Sequence, residues 1–175
     1  LIALDEDCAE RYLLSPTVEE YGKLHEIKTQ LTKNYAAKQA VNDVQLEDDI
    51  RTILNALGTI KNESELVELE YKALRIDEKV DAENVILKKE TKMQVVAYYR
   101  YIEKVFSNSN ANFDMIASEI KVSSMKLEKA ELSQSDVIRH LSEWIRNKAG
   151  LGTESLLACN IVVSFFIQNC EVFHK

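Results

Sequence analysis

The side chains of this chain that could carry out chemistry are three histidines, three cysteines and several carboxylate pairs. The histidines are His25, His140 and His174, and they lie far apart. Neither HxxxH nor HExxH occurs, and these are the close pairs that zinc sites commonly use. We therefore expect each histidine to be packed or at the surface, and we predict no metal site built on them.

The cysteines, Cys8, Cys159 and Cys170, form no CxxC pair. Two of them lie in the apolar C-terminal run, where cysteine usually acts as a small hydrophobic residue. An odd number of cysteines without a pairing motif is typical of a reducing compartment. The start of the chain is acidic, which is unlike a signal peptide. We therefore expect a cytoplasmic protein.

The carboxylate pair Glu65 and Glu68 has the ExxE spacing that helical metal enzymes use when both side chains face inward. On a helix, however, Leu66, Leu69 and Ala73 would form the buried face, so both glutamates would face solvent. The chain also lacks GxxxxGK[ST], GxGxxG and GxSxG. We predict no catalytic residue, no cofactor and no metal, and we keep a glutamate-based, metal-dependent helical enzyme as an alternative.

The elements that would position such side chains are predicted to be helices, because turn-forming residues are scarce. The 175 residues include one proline and four glycines, whereas sheets need many tight turns that use these residues. We predict an all-α bundle of six to eight helices with a buried C-terminal helix. It would form a single interaction domain over residues 1–175, with one candidate sub-boundary near 58–62. Because the first residue is Leu1, we expect a piece of a longer protein.

The net charge is −7, and acidic residues outnumber basic ones most clearly between positions 42 and 90. Proteins that bind nucleic acid usually show the opposite sign, because neutralising phosphates needs clustered Lys and Arg. The lysines and arginines between Lys121 and Lys148 are interspersed with acidic residues. We therefore expect no direct binding to nucleic acid.

Apolar residues recur at helical spacing through most of the chain. Asn62 with Glu65 is typical of a capping box, Gly58 and Gly150 of helix ends, and Asp81–Asn84 of a break. Ser15 with Pro16, and Ser133 or Ser135, are predicted to begin helices. The predicted buried faces are Leu24, Ile27, Leu31 and Tyr35; Leu46, Ile50, Ile53, Leu54 and Leu57; Leu66, Leu69, Ala73, Ile76 and Val80; Val95, Tyr98, Tyr99, Ile102, Val105 and Phe106; Phe113, Ile116, Ala117, Ile120 and Leu127; and Val137, Leu141, Trp144 and Ile145.

The apolar run from Leu156 to Phe173 is the most informative segment. Polar residues interrupt it too often for a membrane span, and we expect no membrane contact. A strand is locally possible by propensity, but a helix explains more. On a helix, Asn160, Ser164, Gln168 and Glu171 form one polar stripe and every other side is apolar. The stripe would be either the solvent-facing seam of a core helix or a contact with a partner protein.

The ending Ser164-Phe-Phe-Ile-Gln-Asn-Cys-Glu-Val-Phe173 resembles the C-terminal domains of the ABC-three-component systems of bacteria. The segments Arg75–Lys79 and Tyr98–Phe106 are also compatible with that family. The resemblance covers about ten residues closely and roughly the last hundred more loosely, and before Asn62 we see none.

The resemblance implies a protein-interaction module. Those systems combine an SMC- or Rad50-like ABC ATPase, a small middle component and an effector that carries such a domain, and they are thought to act against phages. This chain would then couple an effector to the ATPase or the middle component without catalysing a reaction. A structural homo-oligomerisation domain is the alternative. The candidate partner-binding residues are Asn160, Ser164, Phe165, Phe166, Gln168, Asn169, Glu171 and Phe173, and the resemblance adds Cys170 to the shared element.

Overall fold

The chain is an all-α bundle, as predicted. The computed structural model describes residues 6–14, 17–42, 49–70, 74–109, 112–169 and 171–173. Within these ranges there are eight α-helices, two 3₁₀ turns (Glu63–Glu65 and Thr153–Ser155) and no strand. The helices are α1 (Glu6–Leu14), α2 (Val18–Asn42), α3 (Asp49–Gly58), α4 (Ile76–Lys79), α5 (Val85–Asn108), α6 (Phe113–Glu128), α7 (Gln134–Lys148) and α8 (Leu156–Gln168).

The core is built around α8, which packs against α3, α4, α5 and α7. The buried apolar side chains form one cluster that runs from Ala37 in α2 to Phe173 near the C-terminus. Most of the predicted apolar faces of α3, α5, α6 and α7 enter this cluster. The residues of these faces that are almost fully buried include Ile50, Ile53, Ile102, Ile116, Ile120, Leu127, Leu141, Trp144 and Ile145.

Local sequence signals set the ends of the helices that surround α8. The Ser133 hydroxyl accepts a hydrogen bond from the Asp136 N–H (3.1 Å), so Ser133 and not Ser135 caps α7. The Asn112 side chain caps α6 in the same way, through the Met115 N–H. Gly150 has a φ of 67°, the left-handed conformation that commonly ends a helix, and α3 ends at Gly58 as predicted.

The predicted helix over positions 66–80 is wrong in its first part. Residues 66–70 form no helix, and α4 is the helix in the described part of this stretch. The Leu69 N–H donates to the carbonyl of Val96 in α5 (2.9 Å), and the Leu69 side chain is buried. Contact with α5 therefore replaces helical hydrogen bonds within the segment, which sequence spacing alone does not reveal. In the predicted capping box, the Glu65 carboxylate accepts the Asn62 N–H (3.2 Å).

The predicted break at Asp81–Asn84 is confirmed and is held by one side chain. The Oε1 atom of Gln134, at the start of α7, accepts hydrogen bonds from the Asp81 N–H and the Asn84 amide, both at 2.9 Å. The Nε2 atom of Gln134 donates to the Lys79 carbonyl (3.0 Å). These bonds fix the start of α5 beside the start of α7.

The long helix α2 exists as predicted, but most of its predicted buried face is exposed. Ile27, Leu31 and Tyr35 face solvent, and Leu24 is half-buried. The helix packs against α6 and α7, and its Ala37 is buried. The periodicity predicted the helix correctly but not which part of it would be covered.

Several predicted features lie outside the described residues. They are Ser15, Pro16, Leu46, Ala73, Cys170, His174 and the side chain of Cys8. Among the helices that are described, none is both long enough and apolar enough to cross a membrane.

Candidate functional site: the two halves of the C-terminal helix

The C-terminal half of α8, residues 161–168, is buried on all sides. The helix ends at Gln168 and does not continue to Phe173 as the apolar run predicted. The Glu171 N–H bonds back to the Phe166 carbonyl (3.0 Å), so the chain turns and places Val172 and Phe173 in the core. Phe173 has a φ of 55° in this turn. Glu171 is therefore not part of the helical stripe.

Two residues of the predicted polar stripe, Ser164 and Gln168, are buried and bonded within the chain. The Ser164 hydroxyl donates to Gln94 Oε1 on α5 (2.7 Å). Gln168 Oε1 accepts the Arg75 backbone N–H just before α4 (2.9 Å). Buried polar groups require such partners, and here the partners lie 70 and 93 residues away in sequence. At these two positions the stripe is buried in the free chain and is not a solvent-facing seam.

The turn after α8 is tied to α5 and α6 by two further polar residues. Asn169 Oδ1 accepts the Tyr99 hydroxyl (3.1 Å), and burial raises the pKa of that tyrosine. The Glu171 carboxylate lies 3.6 Å from the Lys121 ammonium at the half-exposed edge of the bundle. Both contacts stabilise the return of the chain onto the core.

Phe165 and Phe166 form an aromatic cluster with the end of α5 and the start of α6. The ring of Phe165 lies 5.0 Å from that of Tyr99 and 5.7 Å from that of Phe106. Phe113 lies 5.9 Å from Phe166 and meets Phe106 edge-on at 5.1 Å. Such ring pairs add to the free energy gained by burying apolar area.

Among the predicted partner-binding residues, Phe165, Phe166 and Phe173 thus hold the fold together, as do Ser164, Gln168, Asn169 and Glu171. The first three are almost fully buried. Direct contact of these seven residues with a partner stays a prediction.

Asn160, the remaining predicted residue, lies in the open half of α8 and lines a groove. This groove, the Asn160 groove, has a volume of about 570 Å³. It lies between the first turns of α8, the start of α5 and one face of α7. Its lining residues are Ile86, Leu87, Glu90, Ser135, Ile138, Arg139, Ser142, Glu143, Leu156 and Asn160.

The charged residues of the Asn160 groove are arranged around Arg139. Its guanidinium contacts Asp136 at 2.8 Å and Glu143 at 3.5 Å. The hydrogen bond from Arg139, with a second one from Ser133, lowers the pKa of Asp136. Glu90 is exposed and forms no ion pair with any residue in the described ranges. The wall of the groove therefore carries an excess of negative charge.

Another face of the same half-helix lines a second groove, the Leu157 groove, of about 450 Å³. Leu157 is 64% exposed there. Leu66 and Tyr98 contribute to the apolar wall. The sequence predicted neither groove, because each one is assembled from elements that are far apart along the chain. The only feature of the sequence that pointed to these grooves was that apolar residues continue around the start of α8.

Several of the residues first considered for chemistry are buried or take part in contacts within the fold. Burial raises the pKa of the Cys159 thiol to about 11, which keeps it protonated near neutral pH, when it is a weak nucleophile. His140 is buried, and its Nε2 lies 3.1 Å from Asn34 Oδ1. Glu65 is used in its capping bond, while Glu68 is exposed. No three His, Cys, Asp or Glu side chains gather as a potential metal site in the part of the chain that is described.

Comparison with known proteins confirms the resemblance seen at the C-terminus. A search of curated proteins and a search of solved structures each found no match. A family model described as C-terminal domain 11 of the ABC-three component (ABC-3C) systems matches residues 37–173. The match begins within α2 and includes all of α3 to α8, so it extends well before Asn62. The chain therefore belongs to this family of C-terminal domains of ABC-three component systems.

Proposed function

We propose that this chain is a non-catalytic coupling domain that links an effector to an ABC-ATPase-type partner complex in bacterial antiphage defence. The observation that carries the proposal is the family match over residues 37–173. Membership in a multi-component system implies protein partners. We propose the ABC ATPase, the middle component or both as those partners, and the cytoplasm as the place where they meet.

The division of α8 into a buried half and an open half supports a coupling role. The buried half fixes the fold through the aromatic cluster and the bonds of Ser164 and Gln168. The open half presents an apolar and polar surface between two grooves. A rigid core under an open surface is a suitable scaffold for binding another protein, because little ordering is required on association.

Co-expression with the two proteins encoded beside this chain tests the proposal. Size-exclusion chromatography with light scattering should show a complex with at least one of them, and titration calorimetry should give a Kd of about 10 μM or tighter. Circular dichroism of the free chain is the control for folding. If the folded chain elutes separately from both proteins and gives no heat on mixing, the coupling function is wrong.

A second candidate, a homo-oligomerisation domain, is favoured by the exposed apolar residues on α2. Tyr21, Ile27, Leu31 and Tyr35 are all more than half exposed. An apolar row of this kind often marks an interface. Light scattering of the chain alone should show a dimer that Leu31→Glu converts to a monomer if this candidate is right.

The glutamate-based enzyme remains the third alternative, and a thermal shift distinguishes it. A ligand that binds only the native state raises the melting temperature by mass action. A rise in the melting temperature with Mn²⁺ or Mg²⁺, lost on Glu65→Gln or Glu68→Gln, would favour the enzyme. On the coupling proposal, neither ion changes the melting temperature.

A further inference from the structure

We infer that the Asn160 groove binds a short segment of another protein that carries an aliphatic side chain next to a lysine or arginine. The inference deepens the proposed function, on which it rests, by naming the contact surface and the chemistry of what it contacts. The Leu157 groove is smaller, about 450 Å³, and nothing in its lining indicates what would cover it.

The groove has the size and apolar lining that a side chain of a partner would fill. Its volume of about 570 Å³ lies within the range of pockets that bury small ligands. Ile86 is 76% exposed at the mouth, and Leu87, Ile138 and Leu156 continue the apolar wall inward. An aliphatic side chain placed here would cover Ile86 and remove its surface from water.

A buried hydroxyl in the lining has no hydrogen-bond partner. Ser142 is 1% exposed, and its Oγ makes no hydrogen bond within the described chain. A buried hydroxyl without a partner is unfavourable, and most such groups in proteins are bonded. Ser142 lines the groove, so a bound segment toward which its side chain turns would give this hydroxyl a partner.

Asn160 supplies the matching amide at the same groove. Its half-buried side chain makes no hydrogen bond within the described residues, in contrast to Ser164 and Gln168 on the same helix. A side-chain amide has one acceptor and two donors, which is the pattern needed to bond a peptide group. Asn160 and Ser142 together therefore suit the backbone of a bound segment, while the apolar wall suits its side chain.

The charges of the groove favour a ligand in which a basic residue lies next to the aliphatic side chain. Glu90 and Glu143 are lining carboxylates, and Arg139, the one cation among the described lining residues, already contacts Glu143 and Asp136. A lysine or arginine of the ligand would meet Glu90, which has no ion pair among the described residues. An acidic segment would be repelled, so the charges discriminate between partners more than they add affinity.

The test is a phage-displayed library of random 12-residue peptides, selected against the whole chain. We expect the selected peptides to share an aliphatic residue close to a lysine or arginine. Asn160→Arg and Glu90→Lys should each weaken their binding by about tenfold or more, as expected for loss of a polar or charged contact. Leu157→Arg, which places the same kind of charge in the Leu157 groove instead, is the matched control and should bind normally.

Ser142→Ala separates a binding role from a structural one. Because its hydroxyl is unbonded in the free chain, removing it should leave the melting temperature unchanged or raise it while weakening peptide binding severalfold. Circular dichroism establishes that each variant is folded, and Glu90→Lys, at an exposed position, is the variant expected to fold without difficulty. The inference is overturned if no peptide is selected, if the selected peptides are acidic, or if the groove variants bind as well as the wild type.

Binding of the chain to its proposed partners is tested separately from peptide binding at the groove. If the chain binds its neighbouring components but the groove variants do so unchanged, the coupling function stands and the groove assignment fails. If the peptides bind at the groove but neither component associates, the groove stands and the proposed partners are wrong.

Discussion

The two halves of α8 belong to one helix but differ in what surrounds them. Residues 161–168 are enclosed by α3, α4, α5 and α7, and their polar side chains bond to distant parts of the chain. Residues 156–160 include the exposed Leu157 and the unbonded amide of Asn160, with a groove on either side. The difference shows that an apolar helix can build a core at one end and offer a surface at the other.

The side-chain amides of Asn160 and Gln168 differ in the same way as the two halves of α8. Gln168 accepts a backbone N–H from Arg75 in a part-buried hydrogen bond, so removing the amide would take this acceptor from that N–H. Asn160 bonds to nothing in the described chain, so removing it should cost the fold little. Substitutions at matched positions can therefore separate residues that hold the fold from residues that are free to bind.

The largest effect is expected at Phe166, which is fully buried within the aromatic cluster. Phe166→Ala should lower the free energy of unfolding by about 3–5 kcal/mol, because it leaves a cavity in the core. Leu157→Ala, in the open half, should change it by about 0.5 kcal/mol or less. Urea denaturation followed by circular dichroism measures both values. Similar losses for the two variants would contradict the division of α8.

Phe166→Asp tests the same prediction with a larger expected loss of stability. An unpaired carboxylate in the core should unfold the chain or prevent it from binding a partner. A variant that stays folded and still retains every partner in a pull-down would show that the aromatic cluster is not central.

The next effect is at Gln168. Gln168→Met keeps the approximate size of the side chain but removes the acceptor of the Arg75 N–H, and it should cost about 1–3 kcal/mol of stability. Asn160→Met is the matched control and should be nearly neutral. Thermal and urea unfolding of the two variants measure the difference. An equal cost at both positions would mean that the hydrogen bond from Arg75 contributes nothing.

A smaller effect is expected for the bond between Ser164 and Gln94. A double-mutant cycle with Ser164→Ala and Gln94→Met should give a coupling energy of about 0.5–1.5 kcal/mol. The cycle isolates this bond from the general cost of changing either side chain. Additive losses would indicate that the two side chains act independently.

The smallest effect is a pH dependence at Asp136, beside the Asn160 groove. The hydrogen bond from Arg139 lowers the pKa of Asp136 in the folded chain below the unfolded value of about 3.9. The resulting stabilisation is present above that unfolded pKa and is lost as the pH falls through the folded pKa. Asp136→Asn should remove this part of the acid sensitivity, an effect of about 0.5 kcal/mol or less at a partly exposed pair.

Urea denaturation between pH 2 and pH 6 measures that dependence. Asp114→Asn is the control, because Asp114 is an exposed aspartate in the first turn of α6 that forms no ion pair with a described residue. The control should keep the acid sensitivity of the wild type. An unchanged pH profile for Asp136→Asn would contradict the role given to Arg139.

Local periodicity predicted most of the helices, though neither α1 nor the short length of α4, and it predicted the buried end of the chain. Residues such as Ile102, Leu141 and Phe166 lie in the core because each repeats along one helical face or within a continuous apolar run. Contacts between residues that are distant in sequence explain the features that local periodicity did not predict. The non-helical segment around Leu69 depends on a carbonyl of α5, and the end of α8 at Gln168 depends on the turn that returns Glu171 to Phe166.

The candidate site was predicted only in part for the same reason. Asn160 was singled out as a polar interruption in an apolar run, and it does line a groove. The groove itself needs Ile86 from α5 and Ser142 from α7, and neither has a feature in the sequence that connects it to Asn160. A stripe on one helix can be read from spacing, but a surface made by three helices depends on how they pack.

Amide hydrogen exchange of the chain, alone and bound to the neighbouring components, tests the central claim that the buried half of α8 builds the fold and the open half binds. We predict that amides of 161–168 are strongly protected in the free chain and unchanged on binding. Segments 85–90 and 135–143 should gain protection in the complex. Rapid exchange of 161–168 in the free chain, or new protection confined to surfaces away from the Asn160 groove, would contradict the claim.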